Sequence, residues 1–224
     1  MKLISVVLAL VIVVSCSALA DGVTYDVYDE WNCISAPLVP LNSDPLNVFD
    51  GIPIINNLTR FDAQTQGNVG YDDLDPTGFG NVLLGDGLWL LSNDEYTVSY
   101  EGVADGIPSG SVMTDICISL PGDSLDGEDV GGYQLIGTPF NHDVPMTVSS
   151  PGDNIKITDG TRLLTLKEAA DSGWCEAFMT GYDATIGSQF SCGYDLCDRE
   201  EMEPGYGYWF LTYKDNLIMI IPGS

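Results

Sequence analysis

The sequence predicts an all-β protein made of two tandem, duplicated β-sandwich or barrel-like units, each with a short helix. Short apolar segments alternate with Gly and Pro along the whole chain, a pattern typical of sandwiches and barrels. The second observation is an internal repeat, in which residues 203–210 echo residues 83–90. In both copies a Gly-x-Gly turn leads directly into an apolar strand that carries a Trp at the same offset.

The repeat extends upstream of these turns. Residues 58–63 match residues 179–184, and the Asp-to-Trp spacing that follows is 27 residues in the first copy and 26 in the second. Residues 31–37 match residues 133–139. Three matched blocks in the same order, with a period of about 100 residues, predict a duplication into two domain-sized units and not a solenoid.

The repeat and the composition together predict the domain boundaries. The first β unit covers residues 21–103 and the second covers residues 111–224. The linker at about 104–110 contains the Gly, Ala, Asp, Pro and Ser that are typical of connecting segments. Residues 1–20 precede both units and have a different character.

Residues 1–20 predict a signal peptide. A short basic start is followed by an apolar core of about a dozen residues, which is too short for a typical membrane span. Small residues up to Ala20 favour cleavage before Asp21. The alternative is a lipobox, Val13-Val14-Ser15-Cys16, which would leave a lipid anchor on Cys16. Both alternatives predict an exported protein that is extracellular or on the cell surface.

Within the first unit, period-two alternation predicts strands and a capped proline predicts a helix. The predicted elements are a strand at 23–35, a helix opened by Ser43-Asp44-Pro45 and ending near 49, a strand at 54–61, and a hairpin that pairs 82–91 with 96–100. Residues 64–81, rich in Gly, Asp and Asn, are predicted to form a loop.

The second unit repeats this scheme with an insertion of about 19 residues. The predicted strands lie at 112–120, 133–140, 155–157, 177–182, 206–213 and 217–221, and the predicted helix lies at 164–171. The helix prediction rests on the composition of this segment and on the glycine that follows it.

The charge of the chain excludes some classes of partner. There are 33 acidic residues against 7 basic ones, for a formal net charge of −26. Nucleic acids and anionic lipids require a basic face, so we expect neither as a partner. The charge favours solubility in salt, divalent cations or a basic partner.

Export permits disulfides, and an odd number of cysteines follows the signal peptide. The candidates are Cys33, Cys117, Cys175, Cys192 and Cys197. Cys192 and Cys197 flank a four-residue turn, with Cys175 as a competing partner. Cys33 and Cys117 occupy similar positions in their units and either pair across them or stay buried thiols. Zinc is not expected, because there is no Cys-x-x-Cys and only one histidine.

The second unit resembles a recurring β module of secreted bacterial surface proteins, with the pattern "GWNLIGNPF … GYW". The resemblance rests on Gly132-Tyr133-Gln134-Leu135-Ile136-Gly137-Thr138-Pro139-Phe140 and on Gly205-Tyr206-Gly207-Tyr208-Trp209, with residues 118–120, 166–174 and 181–183 between and around them. It covers 112–222, and more loosely 23–102; Tyr133 stands where the pattern has Trp, and Trp31-Asn32 is closer there. This family has no agreed activity, so the resemblance implies an extracellular β module and nothing catalytic.

One loop has the beginning of a calcium site. Asp73, Asp75 and Thr77 place oxygen ligands at alternate positions before Gly78, as in an EF-hand loop. The twelfth position is Leu84, so the bidentate carboxylate is missing and we expect at most weak Ca²⁺ binding. The acidic run at 123–129 is a second candidate with a different spacing. No other cofactor is predicted.

Aromatic residues are the candidates for ligand contact. Four tryptophans lie in or near the repeated strands, and the alternation in 206–210 places Tyr206 and Tyr208 on one face and Trp209 on the other. We take Tyr206 and Tyr208 as the sugar-stacking candidates. A Ser-His-Asp triad would need His142, and no nucleophile elbow accompanies it.

These observations predict an extracellular structural or interaction protein of the cell surface, a matrix or a filament, self-associating or adhesive and not an enzyme. Its partners would be further copies of itself or other surface proteins, reached by strand addition at 96–100 or 217–221. A carbohydrate-binding module is the alternative. A secreted hydrolase is the third reading, although no carboxylate pair stands out among the acids.

Overall fold

The protein is all-β, as predicted. The computed structural model describes residues 21–103, 115–123, 130–146, 155–193 and 197–223. The strands of the first unit are β1 (Asp21–Val27), β2 (Glu30–Ser35), β3 (Val39–Pro40), β4 (Leu58–Asp62), β5 (Gly67–Gly70), β6 (Gly87–Ser92) and β7 (Tyr96–Val103), and its helices are α1 (Pro45–Val48) and α2 (Pro76–Phe79). The predicted linker lies outside the described residues.

The second unit contains more strands, because its insertion is structured. They are β8 (Ile116–Leu120), β9 (Gly132–Gly137), β10 (Val144–Pro145), β11 (Lys156–Thr158), β12 (Leu163–Thr165), β13 (Phe178–Asp183), β14 (Ser188–Gly193), β15 (Glu201–Met202), β16 (Gly207–Thr212) and β17 (Leu217–Ile221), with helix α3 (Leu166–Asp171) after β12. Among the described residues, no helix is both long and apolar enough to cross a membrane.

Each unit contains a four-stranded antiparallel sheet with the same order of equivalent strands. The order is β2-β6-β4-β5 in the first unit and β9-β16-β13-β14 in the second. A further sheet has the order β1-β7-β3 in the first unit and β8-β17-β11-β12 in the second, and β10 pairs with β15 in a small separate sheet. This is the arrangement that a duplication would produce, and the duplication itself stays a prediction.

The alternation along the strands divides each four-stranded sheet into a core face and an outer face. In β6, Leu88 and Leu90 are fully buried while Trp89 lies on the other face. In β16, Tyr208 and Phe210 are fully buried and Trp209 lies on the other face. The buried side chains form two clusters, one within residues 23–100 and one within residues 116–221, so each unit has its own hydrophobic core.

Two strand predictions are wrong for the same reason. Residues 23–35 form two strands, β1 and β2, which belong to different sheets and are separated near Glu30, whose φ is 74°. The predicted hairpin fails as well, because β6 pairs with β2 and β4 while β7 pairs with β1 and β3. In both cases the chain crosses from one sheet to the other, so that consecutive strands cover the core from opposite sides.

One of the two predicted edges for strand addition is not an edge. Residues 217–221 form β17, which lies between β11 and β8, so its backbone groups are occupied by neighbours on both sides. Residues 96–100 lie in β7 and pair with β1 on one side, whereas β3 pairs with β7 only at Gly102 and Val103. Strand addition at 96–100 therefore stays a prediction.

Both predicted helices are present, as α1 and α3, and local capping explains them. Asp44 accepts a hydrogen bond from Leu46 N at 2.9 Å at the start of α1. Thr165 and Glu168 form a capping box at the start of α3, and their hydrogen bonds lower the pKa of the Glu168 carboxyl. The region 64–81, predicted as a loop, also contains β5 and α2.

The repeated Gly-x-Gly turns are where the two units meet. Gly205 O accepts a hydrogen bond from Ser35 N at 2.9 Å, and Gly85 O accepts the equivalent bond from Gly137 N at 2.7 Å. Gly85 and Gly205 have φ of 75° and 82°, a region that favours glycine. The second glycine of each turn makes room for the other unit: a Cβ at Gly207 would lie 2.8 Å from the Ile34 carbonyl oxygen.

A cation–π cluster holds the insertion of the second unit against the turn between β16 and β17. The buried ring of Trp174 lies between Arg162 and Lys214, 4.4 and 4.8 Å from its centroid. Lys214 also donates to Asp159 at 2.9 Å, and Thr161 donates to the same carboxylate at 2.7 Å. These hydrogen bonds, from Thr161 first and then from Lys214, hold the pKa of Asp159 well below its usual range.

We expect Asp159→Asn to lower stability at neutral pH and to lose this effect in acid. A lowered folded-state pKa gives a contribution that is complete above the unfolded-state value of about 3.9 and is lost as the pH falls below it toward the folded-state value. Urea unfolding at neutral pH and at about pH 2 compares the complete contribution with a reduced one. Asp171→Asn removes the same charge from an exposed pair with Lys167, and its effect on the free energy of unfolding should not differ between the two pH values. If Asp159→Asn lowered stability by the same amount at both pH values, the explanation would be contradicted.

Candidate binding site between the two units

The outer faces of the two four-stranded sheets face each other and carry two equivalent groups of aromatic rings. The first aromatic cluster is Trp31, Trp89 and Tyr182, and the second is Tyr133, Trp209 and Phe61. The Trp31–Trp89 and Tyr133–Trp209 ring centroids are both 6.0 Å apart, with interplanar angles of 85° and 84°. Each cluster is completed by a ring from the other unit, at 5.4 Å in the first and 4.7 Å in the second.

A cleft opens beside each cluster. The Trp89 cleft, of about 430 Å³, is lined by Trp31, Thr59, Asn68, Trp89, Tyr182 and Gln189. The Trp209 cleft, of about 580 Å³, is lined by Phe61, Gln66, Tyr133, Thr180, Gln189 and Trp209. Thr59 and Thr180 occupy equivalent positions opposite the central tryptophans, and Asn68 and Gln189 are equivalent on the edge strands β5 and β14.

The clefts differ from the rest of the molecule in charge. None of the side chains that line them is charged, although the chain as a whole carries a formal charge of −26. Within the described part of the chain, five basic side chains are bound in ion pairs with acids, namely Arg60, Arg162, Lys167, Arg199 and Lys214. The clefts are therefore neutral areas between two strongly acidic units.

The polar groups of the clefts are largely unused. Within the part of the chain that the structure describes, no hydrogen bond joins the side chains of Asn68, Gln189, Thr59 or Thr180 to another protein group. Two carboxamides and two hydroxyls thus remain for a ligand or for water, and each carboxamide offers both donors and acceptors. Polar groups of this kind, next to aromatic rings, are the usual lining of a small-molecule site.

Gln66 has a different role from the other carboxamide side chains of the clefts. Its Oε1 accepts from Tyr133 N at 2.9 Å, and its Nε2 donates to Tyr133 O at 3.1 Å and to Ala63 O at 2.6 Å. The first unit thereby binds the exposed backbone of β9 and fixes the rim of the Trp209 cleft. The Gln66 amide is consequently occupied within the protein.

Of the two predicted ligand-contact aromatics, neither lines these clefts. Tyr208 is 0% exposed, and its hydroxyl accepts a hydrogen bond from Glu203 N at 2.8 Å. Burial raises the pKa of that hydroxyl well above its usual value. Tyr206 is half-buried and packs edge-on against Phe190. The alternation places Trp209 and the tyrosines on opposite faces, as predicted, and Trp209 is the one that borders the cleft. Tyr206 lies at the margin of the core and also lines a smaller cleft with Tyr25 and Tyr182, so its contact with a ligand stays a prediction.

The predicted calcium loop lies at the start of helix α2, and weak Ca²⁺ binding there stays a prediction. Asp75 accepts a hydrogen bond from Thr77 Oγ1 at 2.7 Å and precedes helix α2, and Asp73 lies in the turn before it. The described residues contain no group of three or more His, Cys, Asp or Glu side chains placed to hold a metal ion. Most of the second acidic run, 124–129, lies outside the described residues.

The predicted disulfides are absent among the described cysteines. Cys33, Cys117, Cys175, Cys192 and Cys197 are all thiols. Cys33 is buried in β2 while Cys117 is exposed on β8, so the proposed pairing across the units does not occur. Cys192 donates to Glu201 O at 2.9 Å, and burial raises the pKa of its thiol to about 12. Cys16, the alternative lipid anchor, lies outside the described residues.

The clefts themselves were missed by sequence reasoning. Trp89 and Trp209 lie in the repeated strands, but the sequence favoured Tyr206 and Tyr208 as the stacking candidates instead. Asn68 lies in β5, within a segment predicted as a loop, so its equivalence to Gln189 was not visible. One signal in the sequence pointed to the clefts. A Trp follows each glycine turn at the same offset, and it lies on the face opposite its buried neighbours.

Comparison with known proteins gives no match to a family model, to a curated protein or to a solved structure. The fold and the clefts therefore carry the functional argument alone, and the resemblance to a bacterial surface module stays a prediction.

Proposed function

We propose that the protein is an exported, non-catalytic interaction protein of the cell surface or matrix, and that it binds neutral carbohydrate in the clefts between its units. The observation that carries this proposal is the combination of tryptophan platforms with unused carboxamides and hydroxyls in clefts without charge. Glycan binding is the route to adhesion that the clefts support, and β17, one of the two strands considered for self-association, is an interior strand.

The chemistry of a sugar matches this lining. The apolar C–H face of a pyranose packs against an indole ring, and its hydroxyls need neutral donors and acceptors around the edge. Trp89 supplies the platform of the first cleft, with Thr59 and Asn68 beside it. An anionic ligand would meet the field of 33 acidic side chains with no cation in the cleft to offset it.

The lining supports binding and not hydrolysis. Glycoside hydrolysis generally requires two carboxyl groups that flank the scissile bond. Among the described residues that line either cleft there is no Asp or Glu. We therefore propose recognition without turnover, and the hydrolase reading receives no support from the clefts.

We expect Trp89→Ala to weaken binding to a neutral glycan at least tenfold. The loss of one stacking platform corresponds to about 1.4 kcal/mol. A glycan array with the full chain identifies the glycan, and calorimetry on the purified glycan measures the affinity. Tyr213→Ala removes an exposed aromatic ring outside both clefts and serves as the matched control. Circular dichroism confirms that both variants are folded.

Two results would contradict the proposal. One is an array on which no neutral glycan binds, or on which only sulfated or carboxylated glycans bind. The other is a neutral glycan whose affinity falls equally in the Trp89→Ala and Tyr213→Ala proteins, which would place its site elsewhere.

A further inference from the structure

Resting on the proposed function, we propose that the two clefts are halves of one site, and that a single linear neutral oligosaccharide occupies both at once. The occupant is thus a chain of several sugar units and not a monosaccharide in each cleft. The side chain shared by the two clefts and the matching geometry of their platforms carry this inference.

Gln189 joins the two clefts. Its side chain lines the Trp89 cleft together with Tyr182, and it lines the Trp209 cleft together with Thr180. It lies on the edge strand β14, exposed, and within the described part of the chain it makes no side-chain hydrogen bond. A carboxamide has two donors and an acceptor with two lone pairs, so this one group can bind neighbouring units of a ligand that passes over it.

The platforms on the two sides of Gln189 are built alike. Trp89 and Trp209 each carry an edge-on ring from the neighbouring strand at 6.0 Å, and each contacts a ring from the other unit. A ligand that spans both platforms therefore meets the same stacking surface twice. Such a ligand gains from the second platform at a high effective concentration, so its affinity rises with chain length until both are covered.

The two halves of the site are not identical in their polar groups. The Trp89 cleft has the Tyr182 hydroxyl and the Asn68 carboxamide, whereas the Trp209 cleft has Phe61 in place of the tyrosine. In the Trp209 cleft the Gln66 amide is already bound to Tyr133. The Trp209 cleft has in turn Tyr133 where the Trp89 cleft has Trp31, so the tyrosine hydroxyl sits on a different side of the platform in each half.

The experiment titrates the full chain with neutral oligosaccharides of glucose, mannose, galactose, xylose and N-acetylglucosamine, from disaccharide to hexasaccharide. We expect one molecule bound per chain in the series that binds, and an affinity that rises at least tenfold with length before it becomes constant. Trp89→Ala and Trp209→Ala should each abolish this gain with length. Gln189→Ala should weaken the longest oligomer, while Ser188→Ala, an exposed neighbour on β14 outside both clefts, should not.

Two molecules bound per chain, each lost in only one of the tryptophan variants, would overturn the single site and leave the proposed function intact. A series in which the disaccharide binds as tightly as the hexasaccharide would do the same. Failure of every series to bind would overturn this inference together with the proposed function.

Discussion

Replacement of Gly207 by Val is expected to destabilise the protein by about 3 kcal/mol, the upper part of the range for overpacking. A Cβ at this position would lie 2.8 Å from both the Ile34 carbonyl oxygen and the Cys33 sulfur. Both neighbours belong to β2 of the first unit and one is backbone, so the strand itself would have to move. The neighbouring bond from Ser35 N to Gly205 O would be lost with it.

Urea unfolding of the two proteins measures this change, with Gly70→Val as the matched control. Gly70 lies in the edge strand β5, and a Cβ there has no atom within 4 Å. The control should therefore change the free energy of unfolding by less than about 0.5 kcal/mol. If both substitutions changed the free energy of unfolding equally, the close approach of the two units would not be the reason for a glycine at position 207.

Replacement of Arg199 by Met is the second change with a large expected effect, about 2 kcal/mol. Its guanidinium binds Asp183 and Glu203, both at 2.8 Å, and lies 3.8 Å from the centroid of the Phe190 ring. Removing one partner from a buried ion pair costs about 3–5 kcal/mol, and we expect less here because the Arg199 side chain is 25% exposed. Two carboxylates would remain close together without a cation.

The comparison of three proteins isolates the effect of charge in this cluster. Lys167→Met breaks an exposed pair with Asp171 and should cost less than about 0.5 kcal/mol. Adding Asp183→Asn and Glu203→Gln to Arg199→Met should recover part of the loss, because no uncompensated carboxylate then remains. A loss that these additional substitutions leave unchanged would mean that Arg199 acts through its packing on the aromatic rings and not through its charge.

Local features of the sequence predicted where helices and strands form, whereas contacts between distant segments decide which strands pair. The proline and Asp44 at the start of α1, and Thr165 with Glu168 at α3, act within a few residues, so their helices were predictable. The pairing of β6 with β2 and β4 brings together segments separated by up to 62 residues, as between Glu30 and Ser92. No local signal distinguishes that arrangement from the hairpin of β6 with β7.

The candidate site was less predictable than the fold. Alternation correctly separated Trp209 from Tyr206 and Tyr208, but it does not say which face meets the core of its own unit. That choice depends on the second sheet, in which β17 follows β16 directly but β8 and β11 are distant in sequence. The clefts also need side chains of both units, and the way in which the units face each other is set by backbone contacts at Gly85 and Gly205.

The reciprocal bonds at the two glycine turns have a consequence for each unit considered alone. The first unit contributes one donor, Ser35 N, and one acceptor, Gly85 O, and the second contributes the equivalent pair, Gly137 N and Gly205 O. Each unit is thus self-complementary in the sense of an isologous dimer, in which one surface binds a copy of itself. Because one covalent chain contains both partners of this contact, they are always present in equal amounts.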